Sequence, residues 1–190
     1  VHPRLVIIGL WAAWAISWLT AAVWMDPAQK RVGLRAELPY RLTMWLGMAV
    51  LFVPAHGYEG VLRLWHIGLA GAWICIALIA LGIAFAWWAR IHLGRLWSGE
   101  ITVKADHRIV DTGPYAIVRH PIYTGLLLSI FATAAAKGTI LGLAGAGLLL
   151  LGIWLKAQIE ERWLAGELGS VYDAYRRRVP MLVPFGPKAS

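Results

Sequence analysis

Three short stretches carry residues able to do chemistry. In "RHPIYTG", residues 119–125, an arginine, a histidine and a tyrosine open an apolar run, and in "EERW", residues 160–163, two carboxylates stand where another apolar run ends. Pro121 suits the first turn of a helix, where its missing N–H costs nothing. His120 then stands at the cap, beside unpaired backbone donors and the positive end of the helix dipole, a position that favours an anion. Adjacent carboxylates diverge by about 100° around a helix, so Glu160 and Glu161 do not form a facing acid–base pair. The expectation is one turned inward and one toward solvent. An ionised group turned inward at membrane depth is costly and marks function. In the third stretch, "VYDAYRRRVP", Tyr172 and Arg176 are four apart and share a helix face, so Arg176 is the arginine of the run that its helix can turn inward.

The elements that must position these residues are apolar helices. Of 190 residues, 59% are hydrophobic and 15% charged, against roughly 25% charged in a soluble domain. The chain is read as an all-α integral membrane protein with five transmembrane helices, near residues 5–25, 40–56, 64–90, 121–136 and 138–159. The first run is taken as a retained helix rather than a cleaved leader. Only "KGT" separates the last two, which implies a tight helical hairpin. Beyond them, "QIEERWLAGELGSVYDAYRRRV" has helical amphipathic spacing, weakened at Gly166 and Gly169. With five crossings, fifteen of the 18 Lys and Arg residues fall on one side and Arg4, Arg63 and Lys137 on the other. That bias places the C-terminus and the polar stretches on the cytoplasmic side of an inner (plasma) membrane.

Composition also narrows the function. The net charge of +8 is spread over loops of an apolar chain, which points to anionic lipid headgroups rather than nucleic acid. Most of the twelve tryptophans, Trp11, Trp14, Trp18, Trp24, Trp65, Trp87, Trp88 and Trp97 among them, stand near the ends of apolar runs as an interfacial belt would. Cys75 is alone, and the histidine spacing makes no metal site. Phosphate-cradling loops, GxGxxG, HExxH and GxSxG are missing. The spans are nearly free of charge, which disfavours a transporter.

At this point the residues carry a resemblance. "GPYAIVRHPIYTG", residues 113–125, followed by "EERWLAGELGSVYDAYRRRVPMLVP", residues 160–184, resembles the isoprenylcysteine carboxyl methyltransferase family. The resemblance covers roughly residues 91–184, the expected catalytic and cofactor-binding half of a single domain over 1–190. It implies a membrane enzyme using S-adenosylmethionine, with a cytoplasmic-facing cofactor pocket formed by the loop before the fourth helix, the start of that helix and the C-terminal segment. By the same analogy His120, Pro121 and Tyr123 line the cofactor, Glu161 holds one of its polar groups, and Tyr172 and Tyr175 close the pocket, with Gly113, Pro114 and Tyr115 shaping the approach. Catalytic roles fall to Arg176, Glu161 and His120, with Arg176 orienting the acceptor or the cofactor carboxylate. The implied acceptor is lipophilic, with the carboxylate of a prenylated cysteine as the candidate, entering past Trp87, Trp88, Trp97 and Met44. Phospholipid amine or thiol methyl transfer, NADPH-dependent membrane reduction and a non-enzymatic transporter are the alternatives.

Overall fold

A computed structural model of the chain describes residues 2–21, 30–31, 33–53, 62–94, 102–103 and 109–188. Within these the order is α1 (Pro3–Thr20), β1 (Lys30–Arg31), α2 (Leu34–Phe52), α3 (Leu69–Leu93), β2 (Thr102–Val103), a 3-10 turn (Gly113–Ala116), α4 (Pro121–Lys137), α5 (Ile140–Leu168) and α6 (Ser170–Arg178). The strands form one short antiparallel ladder, Lys30 opposite Val103 and Arg31 opposite Thr102.

The molecule is an all-α membrane protein apart from that ladder, but the expectation of five spanning helices is wrong. Among the described residues three helices are long and apolar enough to cross a membrane: α1, α3 and α5, with 18, 25 and 29 residues. Two physical features remove the others. In α2, Arg35, Glu37, Pro39 and Arg41 crowd the first two turns. The 17 residues of α4 rise only about 25 Å, short of the roughly 30 Å hydrocarbon layer. The sidedness read from the charges had counted five crossings and loses that basis.

Boundaries move too. Residues 64–68, expected inside the third helix, lie outside it, and Leu64 and Trp65 donate backbone N–H groups to the Gly138 carbonyl. α5 was expected to stop at 159. It continues through Gly166 to Leu168 and ends at Gly169, whose φ of +54° lies where a side chain would be strained. The carboxylates therefore lie within a continuous helix.

The main packing layers are α3 against α4 and α2 against α5, joined by the α4–α5 hairpin. Gly138, at φ +61°, closes α4, and the Thr139 hydroxyl caps α5 by accepting from the Gly142 N–H at 3.0 Å. The expected "KGT" hairpin is thus present. Gly82 and Gly125 set the α3–α4 distance: a methyl group on either would collide with backbone of the other helix. Ser129 exploits that approach by donating to the Ile79 carbonyl at 3.0 Å.

The tryptophan belt is only partly observed. Trp11 is buried and donates its indole N–H to Thr133 at 3.0 Å, and it packs edge-on against Trp14 and Phe52. Trp45 and Trp88 are exposed on the apolar exterior. Trp24 and Trp97 lie outside the described residues.

Candidate active site

The site forms where the start of α4, the last third of α5 and α6 meet. The C-terminal stretch after Val179 bends across the α4 start. Backbone N–H groups of Arg119 and His120 donate to the carbonyls of Pro180 and Met181 at 2.9 and 3.1 Å, and the Thr124 hydroxyl donates to Leu182 at 2.6 Å. Pro180 follows the Val179 cap of α6, where a residue without an N–H cannot continue the helix.

Glu161 is the hub. Its Oε1 accepts from Arg119 Nε at 2.8 Å, His120 Nε2 at 2.9 Å and the Tyr172 hydroxyl at 2.8 Å, while Oε2 accepts from Arg119 Nη2 at 2.8 Å. The fork of Arg119 thus grips the carboxylate with two parallel bonds, a geometry lysine lacks. Arg119 Nη1 is itself held by the carbonyls of Arg176 and Val179. All of these groups are buried or nearly so, and a buried charge survives only when it is paired and bonded in this way.

Glu160 does not face solvent. Its Oε1 accepts from the Tyr123 hydroxyl at 2.6 Å and lies 3.9 Å from Lys156 Nζ, and its Oε2 is 3.4 Å from His120 Nδ1. The expectation that one carboxylate would turn outward is corrected here. The two diverge around α5, and His120 fits between them with one ring nitrogen toward each. Burial pushes the His120 pKa down, but hydrogen bonds to Glu160 and Glu161 and their charges outweigh it, so the net shift is upward from 6.5. The imidazole stacks on the Tyr123 ring, 5.4 Å between centroids and 7° between planes.

A tyrosine layer closes one flank. The Tyr175 hydroxyl donates to the Tyr115 carbonyl at 2.7 Å and its ring meets Tyr172 edge-on. Burial first, then neighbouring carboxylate charge, raises the pKa of Tyr172 and Tyr175, and burial does the same for Tyr115. All three therefore stay neutral, and the hydroxyls of Tyr172 and Tyr175 donate hydrogen bonds. Pro114 and Pro121 are fully buried within this packing.

Of the residues expected at the site, the fold gathers His120, Pro121, Tyr123, Glu161, Tyr172, Tyr175 and Tyr115. Arg176 is placed differently. Its backbone carbonyl holds Arg119, but its half-exposed guanidinium lies 3.0 Å from Asp173 on the same helix, without hydrogen-bond alignment. Arg119, given no role in the sequence reading, is the buried partner of Glu161. Sequence reading missed Lys156 and Tyr40, whose ring, like that of Tyr123, lies 5.7 Å from Lys156 Nζ. The spacing of Lys156 and Glu160, four apart on one helix, was the available signal. On the expected acceptor route, Trp87 packs against Trp18 and Met44 against the core.

The helical membrane scaffold thus holds a buried cluster of charged and phenolic groups at a helix start. A sequence model of the Isoprenylcysteine carboxyl methyltransferase (ICMT) family matches residues 74–166. Over that stretch, just under half of its length, the chain is similar to this family. Among individual proteins, Methanethiol S-methyltransferase 2 of Bradyrhizobium diazoefficiens is 47% identical over 72 residues, 37% of this chain and 26% of that protein. Methanethiol S-methyltransferase of Crocosphaera subtropica is 40% identical over 76 residues, 40% of this chain and 29% of its own length. Protein-S-isoprenylcysteine O-methyltransferase B of Arabidopsis thaliana is 28% identical over 149 residues, covering 77% of this chain and 74% of that protein. The match thus spans less than a third of each methanethiol enzyme.

Proposed function

We propose that the protein transfers a methyl group from S-adenosylmethionine to a lipophilic acceptor at the membrane, and that a thiol is the better candidate for that acceptor than a prenylcysteine carboxylate. The observation that carries the methyl-transfer reading is the bridge Glu160–His120–Glu161 at the start of α4, lying within or next to the segment that matches the family. The preference for a thiol rests on the identity to the two methanethiol enzymes, 47% and 40%, against 28% for the isoprenylcysteine enzyme.

The residues suit such a cofactor in charge. Glu161 has its oxygens committed to Arg119, His120 and Tyr172, and a carboxylate offers about four acceptor sites in all. Its role is to fix those side chains. Glu160 retains acceptor capacity, because its closest partners are one hydroxyl and two nitrogens at 3.4 and 3.9 Å. Glu160 would hold a cationic part of the cofactor, with Tyr123 fixing its carboxylate and the aromatic faces of Tyr123 and Tyr40 beside it. When bound, S-adenosylmethionine supplies an electrophilic methyl on a positive sulfur. Transfer then asks chiefly for alignment of the acceptor with that methyl. His120 and Glu161 orient; Arg176 meets the acceptor only if its guanidinium leaves Asp173.

The test is calorimetric binding of S-adenosylhomocysteine to the purified protein, followed by labelled methyl transfer to methanethiol and to a prenylcysteine. Binding with label appearing on the thiol is expected. No binding, or binding of reduced nicotinamide instead, overturns the reading, and label on the prenylcysteine alone overturns the acceptor.

A further inference from the structure

The far end of α4 carries a feature that the proposed reaction does not use. Between the first turns of α1 and α3 and the last turns of α2 and α4 lies a cavity of about 600 Å³. Its body is apolar, lined by residues such as Ile7, Leu51 and Ile67. Its lining also holds Arg4, Arg63 and Lys137 and, among the described residues, no acidic side chain. Lys137 is tied down, donating to the carbonyls of Leu51 and Val53 at 2.6 and 2.8 Å at the end of α2. Arg4 and Arg63 have no carboxylate partner among the described residues.

Two further facts identify the occupant. The N-termini of α1 and α3 both open on this cavity through Pro3, Arg4, Gly68 and Leu69, and α3 has no side-chain cap. Positive charge from both helix dipoles adds to that of the arginines. Around the opening, Leu5 and Leu69 are exposed at 63% and 66%, continuing the apolar exterior that faces lipid. An inorganic anion would satisfy the cations and leave the apolar volume unfilled. A neutral lipid would fill the volume and leave the cations without a partner.

We propose that this cavity binds an anionic phospholipid of the bilayer, its phosphate between Arg4 and Arg63 and an acyl chain in the apolar body. The site is independent of the methyl-transfer reading, because α4 separates the two by about 25 Å at 1.5 Å per residue.

The test uses the full chain purified in a non-ionic detergent. Retention of dioleoyl phosphatidylglycerol, dioleoyl phosphatidylcholine and inorganic phosphate is compared by native mass spectrometry and thermal unfolding. Phosphatidylglycerol is expected to bind about tenfold tighter than phosphatidylcholine, and the double variant Arg4→Ala/Arg63→Ala to lose that preference. A second variant, Ala72→Leu, narrows the cavity without touching charge and is expected to release both lipids while leaving S-adenosylhomocysteine binding unchanged. Equal binding of the two lipids overturns the proposal. So does an undiminished preference in the double variant, stabilisation by inorganic phosphate equal to that by phosphatidylglycerol, or wild-type lipid retention by Ala72→Leu.

Discussion

The two ends of α4 handle charge in opposite ways. At the His120 end, the charges of Arg119, His120, Glu160 and Glu161 are buried and answer one another. At the Lys137 end, Arg4 and Arg63 line an apolar cavity with no described carboxylate. A closed cluster fixes geometry, because every group is held by at least one partner of opposite sign. An open cluster fixes a preference for something from outside. The same helix can therefore serve a precise polar site and a lipid-facing surface, provided the neutralising groups come from other elements at one end only.

The largest effect expected in breaking this contrast is at the hub. Glu161→Gln leaves the Arg119 guanidinium buried without a carboxylate, and loss of one partner of a buried pair costs about 3–5 kcal/mol. A marked fall in unfolding temperature with loss of S-adenosylhomocysteine binding is expected; wild-type stability would show that the cluster is not closed. Next comes Gly125→Leu, which forces α3 and α4 apart where a methyl already collides and should cost about 1–3 kcal/mol or more, read by denaturation in detergent. Removing one hydroxyl is milder. Tyr172→Phe loses the bond to Glu161 at about 1–2 kcal/mol, with S-adenosylhomocysteine affinity reduced severalfold by calorimetry.

The pH response separates the ends as well. His120 has its pKa raised on folding, so its contribution to stability is complete below the unfolded value near 6.5 and is lost as pH rises through the higher folded value. Unfolding temperature should therefore fall on that rise, and His120→Gln should flatten the slope. The smallest effect is expected at the open end, where Arg63→Ala should move stability by less than about 0.5 kcal/mol without added lipid, as measured by the same denaturation.

How much of this was legible in sequence depends on whether the signal was local. Pro121 at a helix start, Gly138 at its end and the Gly169 break follow from backbone sterics that each residue carries wherever it stands, and all three were readable in outline. The fate of the 160–161 pair was not. Helical geometry states that neighbours diverge by about 100°, yet whether both point inward depends on His120 arriving between them from α4, 41 residues away in the chain for the Glu161 contact. The role of Arg119 was hidden for the same reason: an arginine beside an apolar run suits a lipid phosphate as well as a buried carboxylate until the partner is known. Trp11 read as a belt residue because its sequence position is near a helix end, while its burial depends on Thr133 from another helix.

By itself the sequence determined that the chain is an apolar helical membrane protein, that its polar chemistry gathers in the C-terminal half, and that its paired motifs resemble one methyltransferase family. Those are properties of composition, period and short spacing. Only the tertiary structure decided that, among the described residues, three helices rather than five can cross the membrane, that Glu161 serves as a hub while Glu160 keeps acceptor capacity, that the Arg176 guanidinium sits beside Asp173, and that an apolar cavity lined by Arg4 and Arg63, with no described carboxylate, lies at the opposite end. Each of these depends on which side chains from distant segments meet, and in a buried site the meeting partner sets the charge, the hydrogen bonds and the direction in which a side chain points.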